Sequence, residues 1–401
     1  MNYNELFSRA VRRSKASAIR ELLKVTAMPD IISFAGGLPA PELFPAADIE
    51  TVLKDVMKNS SREALQYGTT EGQNSLKTEI IKMLAETERI SVKPENILIV
   101  SAAQQALDMT ARMFINEGDA IIAPRPTYLG ALQAFQVAGA DLVGADSDAN
   151  GVIPADIEKK LEQLKKQGKT CKFIYVVPDF QNPTGTTILE DRRIQILEIA
   201  KKYNTFVLED SPYRQVRFEG KTQRTFYELD NGQGNVLTMF TFSKVFVPGF
   251  RLGFIIGPKE VIAKFVILKQ AMDLCSSPFL QLATAEYLRR GLLTTHIREM
   301  IDCYRVKRDL MIESLEKYMP KGVTWTHPSG GLFLWLTLPK HMNATELLPK
   351  AIERKVAFVA GVDFYPECNV YNDMRLNFSY SSHEKIVEGI KRLAQAIKEN
   401  M

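Results

Sequence analysis

The sequence predicts an α/β fold: a mostly parallel sheet of the seven-stranded type with helices on both faces, joined to a smaller α+β unit. Three observations carry that prediction. Short apolar runs recur from Glu95 onward, they are continuous rather than alternating, and helix-length segments separate them. A strand covered on both faces needs apolar side chains at every position, whereas a half-exposed strand alternates. Strand and helix taking turns along a chain is the pattern of a parallel sheet with covered faces.

The elements follow in order. The first 24 residues carry Arg9, Arg12, Arg13, Lys15, Arg20 and Lys24 against Glu5 and Glu21, and read as an exposed amphipathic helix. A transit peptide would be basic too, but this segment has no strong serine bias and no apolar h-region. The predicted strands are Ile97–Val100, Ala120–Ala123, Phe173–Val177, Phe206–Leu208, Val236–Phe242 and Phe254–Ile256. Helical patterns fill Ala102–Asn116 and Leu189–Tyr203. After Thr294 the texture changes: a long helix from about His296 to Tyr318, then strands at Phe333–Leu338, Ala357–Val359 and Met374–Ser379. In the last, Met374, Leu376 and Phe378 face one side while Arg375, Asn377 and Ser379 face the other.

Composition narrows the function. With 401 residues the chain outgrows one core, so two domains or one with an appendage are expected. The 51 basic and 47 acidic side chains leave a net +4, mixed along the chain, which is too mild for a nucleic-acid footprint. No apolar stretch approaches the ~20 residues of a membrane span. Cys171, Cys275, Cys303 and Cys368 lie 104, 28 and 65 apart, without metal-ligand or redox-pair spacing, and read as buried thiols in a reducing compartment. The four histidines are equally scattered, so no zinc site is expected. A cytoplasmic enzyme is the class that remains.

Two motif matches are decoys. Gly168-Lys169-Thr170 resembles the end of a phosphate loop, but Gln163 stands where the earlier glycine belongs, and Gly168 reads as a helix C-cap. Gly232-Gln233-Gly234 precedes a strand instead of following one, so it is no dinucleotide fingerprint.

In open α/β sheets ligands bind beyond the carboxyl ends of the strands. Ile97–Val100 leads to Ser101-Ala102-Ala103-Gln104-Gln105 opening a helix, where backbone N–H groups can hold an anion. Ala120–Ala123 leads to Tyr128, Phe173–Val177 to Asn182, and Phe206–Leu208 to Asp210 and Tyr213. Val236–Phe242 ends in Ser243-Lys244, with Arg251 seven residues on. One rim thus offers an anion site, a flat ring, an amide, a carboxylate, a phenol, a lysine and an arginine. That set suits pyridoxal phosphate: a lysine to form the imine, a carboxylate to keep the pyridinium nitrogen protonated, and cations with a helix N-terminus for the phosphate.

At these residues the chain resembles the fold-type I pyridoxal-phosphate aminotransferases. It is most similar to the branch holding α-aminoadipate and kynurenine aminotransferases and the aminotransferase-like domains of MocR-type regulators. The carriers are Ser33–Pro45, Leu65–Gly72, Ser101–Asp108, Pro124–Gly130, Pro178–Gly185, Leu208–Tyr213, Thr241–Gly253 and Met374–Tyr380, in the family's order and at its spacing. The resemblance implies that Lys244 forms the Schiff base and shuttles the proton between substrate Cα and cofactor C4′. It implies that Asp210 pairs with the pyridinium nitrogen, that Asn182 and Tyr213 bond the ring oxygen, and that Tyr128 stacks on the ring. Thr241, Ser243, Arg251, Gln104 and the amide of Ala103 take the phosphate. The family usually has Gly-Ser-Gln where this chain has Ala102-Ala103-Gln104, so one hydroxyl contact is missing and looser cofactor binding is expected. Tyr67 reaches the phosphate of a neighbouring subunit, which makes a homodimer part of the mechanism. The resemblance also implies that Arg375 takes the substrate α-carboxylate as a bidentate pair, and it aligns Arg20 and Gly37 with positions that shape the side-chain pocket. Arg20 pairs a side-chain carboxylate, swings away from an apolar one, or is an ordinary exposed helix arginine.

The resulting expectation is a ping-pong aminotransferase passing the amino group of an L-amino acid to a 2-oxo acid, 2-oxoglutarate foremost. Its large domain is 46–295, and a discontinuous small domain joins 1–45 to 296–401, with the basic amino terminus a substrate lid through Arg20. The rivals are another reaction of the same cofactor (β-elimination, decarboxylation, racemisation) and a non-catalytic ligand sensor. A regulator of that kind carries an N-terminal DNA-binding domain, for which a pattern starting almost at Met1 leaves no room.

Overall fold

The computed structural model describes residues 1–14 and 30–401. Strand β1 (Ile32–Ser33) lies in the amino-terminal segment. A large sheet is built from β2 (Ile97–Val100), β3 (Ala120–Arg125), β4 (Asp141–Asp148), β5 (Gly151–Val152), β6 (Cys171–Val176), β7 (Phe206–Asp210), β8 (Val236–Thr241) and β9 (Gly253–Ile256). Their spatial order is β2-β9-β8-β7-β6-β3-β4-β5. The run β4-β3-β6-β7-β8 is parallel, β9 is antiparallel to both its neighbours, and β5 is antiparallel to β4.

The continuous apolar runs exist because both faces are covered. On one face Leu98, Ile121, Tyr175, Leu208 and Met239 pack with Leu107 and Phe135 of the helices Ala102–Phe114 and Leu129–Ala138. On the other, Ile97 and Ile99 meet Val52 and Ile80 of the helices Ala46–Ala64 and Asn74–Glu88. Ile122, Ile174 and Val207 meet Ile157 and Ile196 of the helices Pro154–Lys166 and Glu190–Lys202. Strand β4 went unpredicted because its residues are largely half-exposed and polar ones interrupt it. A partly covered strand carries no continuous apolar run.

A second sheet has the order β10-β11-β14-β13 and is antiparallel throughout: β10 (Thr324–Trp325), β11 (Phe333–Thr337), β14 (Asp373–Asn377) and β13 (Val359–Ala360). Strand β12 (Val356–Ala357) instead pairs in parallel with β1. The single strand predicted at Ala357–Val359 is therefore two, in different sheets, with Phe358 fully buried at the crossing. Every residue of β14 is buried, so the face predicted as polar covers Arg375 and Asn377 inside the protein.

The amino terminus also differs from prediction. Among residues 1–14 there are two short helices, Tyr3–Leu6 and Arg9–Arg13, each opened by a cap side chain, Asn2 and Ser8. Such caps favour a fresh start over one continuous helix. Lys15, Arg20, Glu21 and Lys24 lie outside the described residues. The four cysteines are half-buried rather than buried, and none is in a disulfide. Gly168 follows the helix Pro154–Lys166 with φ of +68°, the left-handed exit that a C-cap requires. Among the described residues no helix is long and apolar enough to cross a membrane.

A buried ion cluster ties the loops after β6 and β7 together. Asp179 is 1% exposed and receives Arg193 at 2.9 Å, Arg214 at 3.1 Å and Arg217 at 3.1 Å; Arg214 also pairs with Glu88. Three cations hold the Asp179 carboxyl below its ordinary range despite burial. Removing one partner of such a cluster strands the others in low dielectric. Asp179→Ala is expected to cost about 3–5 kcal/mol in urea unfolding, and a loss below about 1 kcal/mol would show that the cluster carries little of the fold.

Candidate active site at the carboxyl edge of the large sheet

The carboxyl ends of β3, β6, β7 and β8 open onto a cavity of about 280 Å³. The antiparallel β9 begins at the same edge, so Arg251, just before it, joins them. Ala103, Gln104, Tyr128, Asn182, Asp210, Tyr213, Thr241, Ser243, Lys244, Arg251, Arg375 and Gly37 all line this space. Tyr67 does not: it follows the helix Ala46–Ala64 and is 79% exposed. Arg20 lies outside the described residues.

Asp210 ends β7 as a buried carboxylate. Its Oδ2 accepts the Tyr175 hydroxyl at 2.9 Å, while Oδ1, equally buried, has no partner among the described residues. Burial pushes the carboxyl up to about 7, against the pull of the Tyr175 bond, with the Glu209 charge adding to the rise. Lys244 moves the other way: burial, then Arg375 and Arg251, lower its amine to about 8. Its Nζ donates to the Gly37 carbonyl at 2.7 Å. An amine near 8 is partly neutral at ordinary pH and can act as base or nucleophile.

Arg375 is 1% exposed. It lies over the Phe333 ring at 4.3 Å and the Phe364 ring at 5.2 Å, an arrangement that favours a guanidinium. One nitrogen donates to Asn182 Oδ1 at 2.9 Å, another to the Ala35 carbonyl at 2.6 Å, and among the described residues Nε is buried without an acceptor. Among those residues no carboxylate pairs with it, and burial lowers it to about 10. Such a cation is short of an anion. Tyr213 bonds Asn182 and stands edge-on to Phe333 at 5.7 Å, its phenol raised far above its ordinary value by burial.

At the other end of the cavity Arg251 donates to Ser243 Oγ at 3.3 Å, and the Ser243 amide donates to Thr241 Oγ1 at 3.1 Å. These converge beside the first turn of the helix Ala102–Phe114, whose N–H groups have no intrahelical acceptors. Ala102 and Arg251 hold left-handed φ of +61° and +51°, strain of about 1 kcal/mol or more each that collects at functional sites. Gln104 donates to the Gly130 carbonyl at 3.1 Å and accepts the Tyr128 hydroxyl at 3.2 Å. Gly130 makes this possible, since a Cβ there would lie 2.5 Å from Tyr128 Cζ.

Sequence reasoning missed Tyr175, Phe333 and the carbonyls of Ala35 and Gly37. The signal for Tyr175 was present: on β6 it shares a sheet face with Leu208, and hence with Asp210 two residues on. The carbonyls carry no side-chain signal at all.

A large parallel-rich sheet with this site at its carboxyl edge defines a class, and the comparisons name it. The model of aminotransferase class I and II matches residues 39–393, and the chain belongs to that family. It is 43% identical to aromatic-amino-acid aminotransferase 1 of Thermococcus litoralis, over 100% of this chain and 96% of that one. It is 35% identical to 2-aminoadipate transaminase of Thermus thermophilus, over 99% of this chain and 98% of that enzyme. The solved kynurenine aminotransferase of Pyrococcus horikoshii, in complex with PMP, superposes with a TM-score of 0.96 at 44% identity, covering 100% of this chain and 98% of that one. The chain is an aminotransferase of fold type I.

The Asp210 shift has a consequence for stability. With its folded value raised from 3.8 to about 7, the native state holds the proton more tightly than the unfolded state. The contribution to stability is present below 3.8 and is lost as pH rises toward about 7. In urea unfolding of the cofactor-free protein, Asp210→Asn should gain on the parent chain across that window and level off above it. A difference flat with pH would contradict the shift.

Proposed function

We propose that this chain transfers the amino group of an L-amino acid to a 2-oxo acid, with aromatic amino acids among its donors and 2-oxoglutarate as acceptor, using pyridoxal 5′-phosphate. The observation that carries the reading is a single cavity holding Lys244, a carboxylate with one unpartnered buried oxygen, and an arginine without an anion. The residues fit the cofactor. Asp210 Oδ1 is an acceptor waiting for a donor, which a protonated ring nitrogen supplies. Tyr128 offers a ring face, Asn182 and Tyr213 address the ring oxygen, and Thr241, Ser243, Arg251, Gln104 and the Ala103 amide surround the phosphate. Ala103 supplies its N–H but no hydroxyl, so the phosphate is held by one bond fewer.

When bound, pyridoxal 5′-phosphate supplies an electron sink for the pair left as the Cα–H bond breaks. Lys244 would hold the cofactor through its Nζ and, once free, would carry the proton from the substrate Cα to the cofactor C4′ in one half-reaction and in the reverse direction in the other. Asp210 keeps the ring nitrogen protonated. Arg375 grips the α-carboxylate through its fork, and with Asn182 already bonded to it, the substrate and the ring oxygen are set from one linkage. One carboxylate grip serving both substrates in turn supports a ping-pong cycle. Leu38, Val177 and Phe333 give the cavity apolar walls, which with the aromatic-amino-acid relative supports aromatic donors.

The working unit in this reading is a cytoplasmic homodimer, in which the exposed Tyr67 reaches the phosphate of the partner's site. The domain division is 46–295 for the cofactor unit and 1–45 with 296–401 for the closing unit, supported by the β1–β12 pairing of the two chain ends. Gly37, whose Cβ would come within 3.2 Å of Phe333 Cζ, keeps the pocket open on the side-chain side.

A panel of amino acids with 2-oxoglutarate, read as glutamate formed, tests the reading: glutamate from aromatic donors is expected. Ammonia or a decarboxylated amine in its place would assign a lyase or decarboxylase. Lys244→Ala should lose both glutamate formation and borohydride-fixed cofactor, and label retained in that variant would contradict the assignment. Arg375→Lys keeps the charge and loses the fork, so KM for the donor should rise by about 100-fold with intact cofactor binding; an unchanged KM would remove Arg375 from the substrate site.

A further inference from the structure

We propose that Tyr175 is a positioning residue of this active site: its hydroxyl pins Asp210 Oδ2, which favours the carboxylate form and leaves Oδ1 free to take the ring nitrogen. The inference rests on the preceding reading of the cavity and adds a residue outside its lining. Among the described residues, the Tyr175 bond at 2.9 Å is the one hydrogen bond that the Asp210 carboxylate makes. A carboxylate taken out of water needs donors to remain charged, and here there is one.

Tyr175 is well placed to be that donor. It is fully buried on β6, a strand held between β3 and β7, and its ring stands edge-on to Phe135 at 5.5 Å. Burial and the facing Asp210 charge raise its phenol well above the usual value, so it stays protonated and can only donate to Asp210. The neighbouring Glu209 does not compete. It faces away from the cavity, accepting from Thr238 Oγ1 at 2.8 Å and from the amides of Phe226 and Tyr227. The hydroxyls of Tyr128 and Tyr213 and the cations Lys244, Arg251 and Arg375 share the cavity with Asp210, and none bonds its carboxylate. The two oxygens therefore divide their work: Oδ2 is fixed to the protein, and Oδ1 is kept for a ligand.

The test compares two ligands of the cofactor-free protein: pyridoxal 5′-phosphate and its analogue with C–H in place of the ring nitrogen. Tyr175→Phe removes one oxygen and keeps the ring against Phe135. It should weaken pyridoxal 5′-phosphate by about tenfold, the scale of one hydrogen bond to a charged group. The analogue should bind within about twofold of the parent chain, or more tightly, since no ionised carboxylate is needed opposite a C–H group. Unchanged analogue binding also reports an intact cavity in the variant. Equal losses for both ligands would assign Tyr175 to packing, and no loss for pyridoxal 5′-phosphate would remove it from the site; either result overturns the proposal. Asp210→Ala separates this from the reading beneath it. If the preference for the ring nitrogen survives Asp210→Ala, the role given to Asp210 fails and this proposal with it. If Asp210→Ala abolishes the preference and Tyr175→Phe leaves it, Tyr175 alone is wrong.

Discussion

At the carboxyl end of β7 the chain buries a carboxylate, one of whose oxygens has no partner among the described residues. A sealed interior cannot carry that cheaply: burial, with the Glu209 charge, pushes Asp210 up to about 7 against the pull of the Tyr175 bond. The arrangement persists because the fold surrounds it with strands that cannot shift. β7 is hydrogen-bonded between β6 and β8, and Asp210 itself pairs with Met239. The loops leaving β6 and β7 are bound to each other by Asp179 and its arginines. Rigid strand ends and a clamped loop pair are what let Asn182, Asp210 and Tyr213 keep a fixed relation.

The cations share the cavity with that carboxylate without bonding it. Arg375 comes from the second sheet and is held by two phenylalanine rings, an amide and a carbonyl, none of which carries a charge. Lys244 is held by another carbonyl. Burial and the two arginines lower the Lys244 amine, and cations solvated by neutral groups stay open to an incoming anion. A site assembled from ion pairs would have had no such opening. The contrast with the Asp179 cluster, where every charge meets its opposite, separates structural ionic contacts from those reserved for ligands.

The sheet and most of the rim were legible in the sequence for one reason. A strand buried on both faces shows as an unbroken apolar run, and the short segment that follows each run lies at the site edge. That reasoning located Tyr128, Asn182, Asp210, Lys244 and Arg251. It did not reach β4, whose half-exposed residues break the run, nor the two strands inside Ala357–Val359, which differ in partner but not in character. It read Arg375 as lying on a polar strand face, while the structure buries that face completely. Tyr175 was counted as strand filling, because a tyrosine in an apolar run looks like core until its neighbour across the sheet is known. Backbone acceptors such as the Gly37 carbonyl leave no trace in a sequence.

The central claim is that one cavity holds cofactor and amino acid so that the amino group stays with the protein when the 2-oxo acid leaves. Mixing the cofactor-loaded protein with an aromatic amino acid, with no acceptor present, measures this directly. The expected result is release of one equivalent of 2-oxo acid per subunit, no ammonia, and a stop until 2-oxoglutarate is added, after which glutamate appears in equal amount. Continued turnover without acceptor, with ammonia or a decarboxylated amine accumulating, would contradict it.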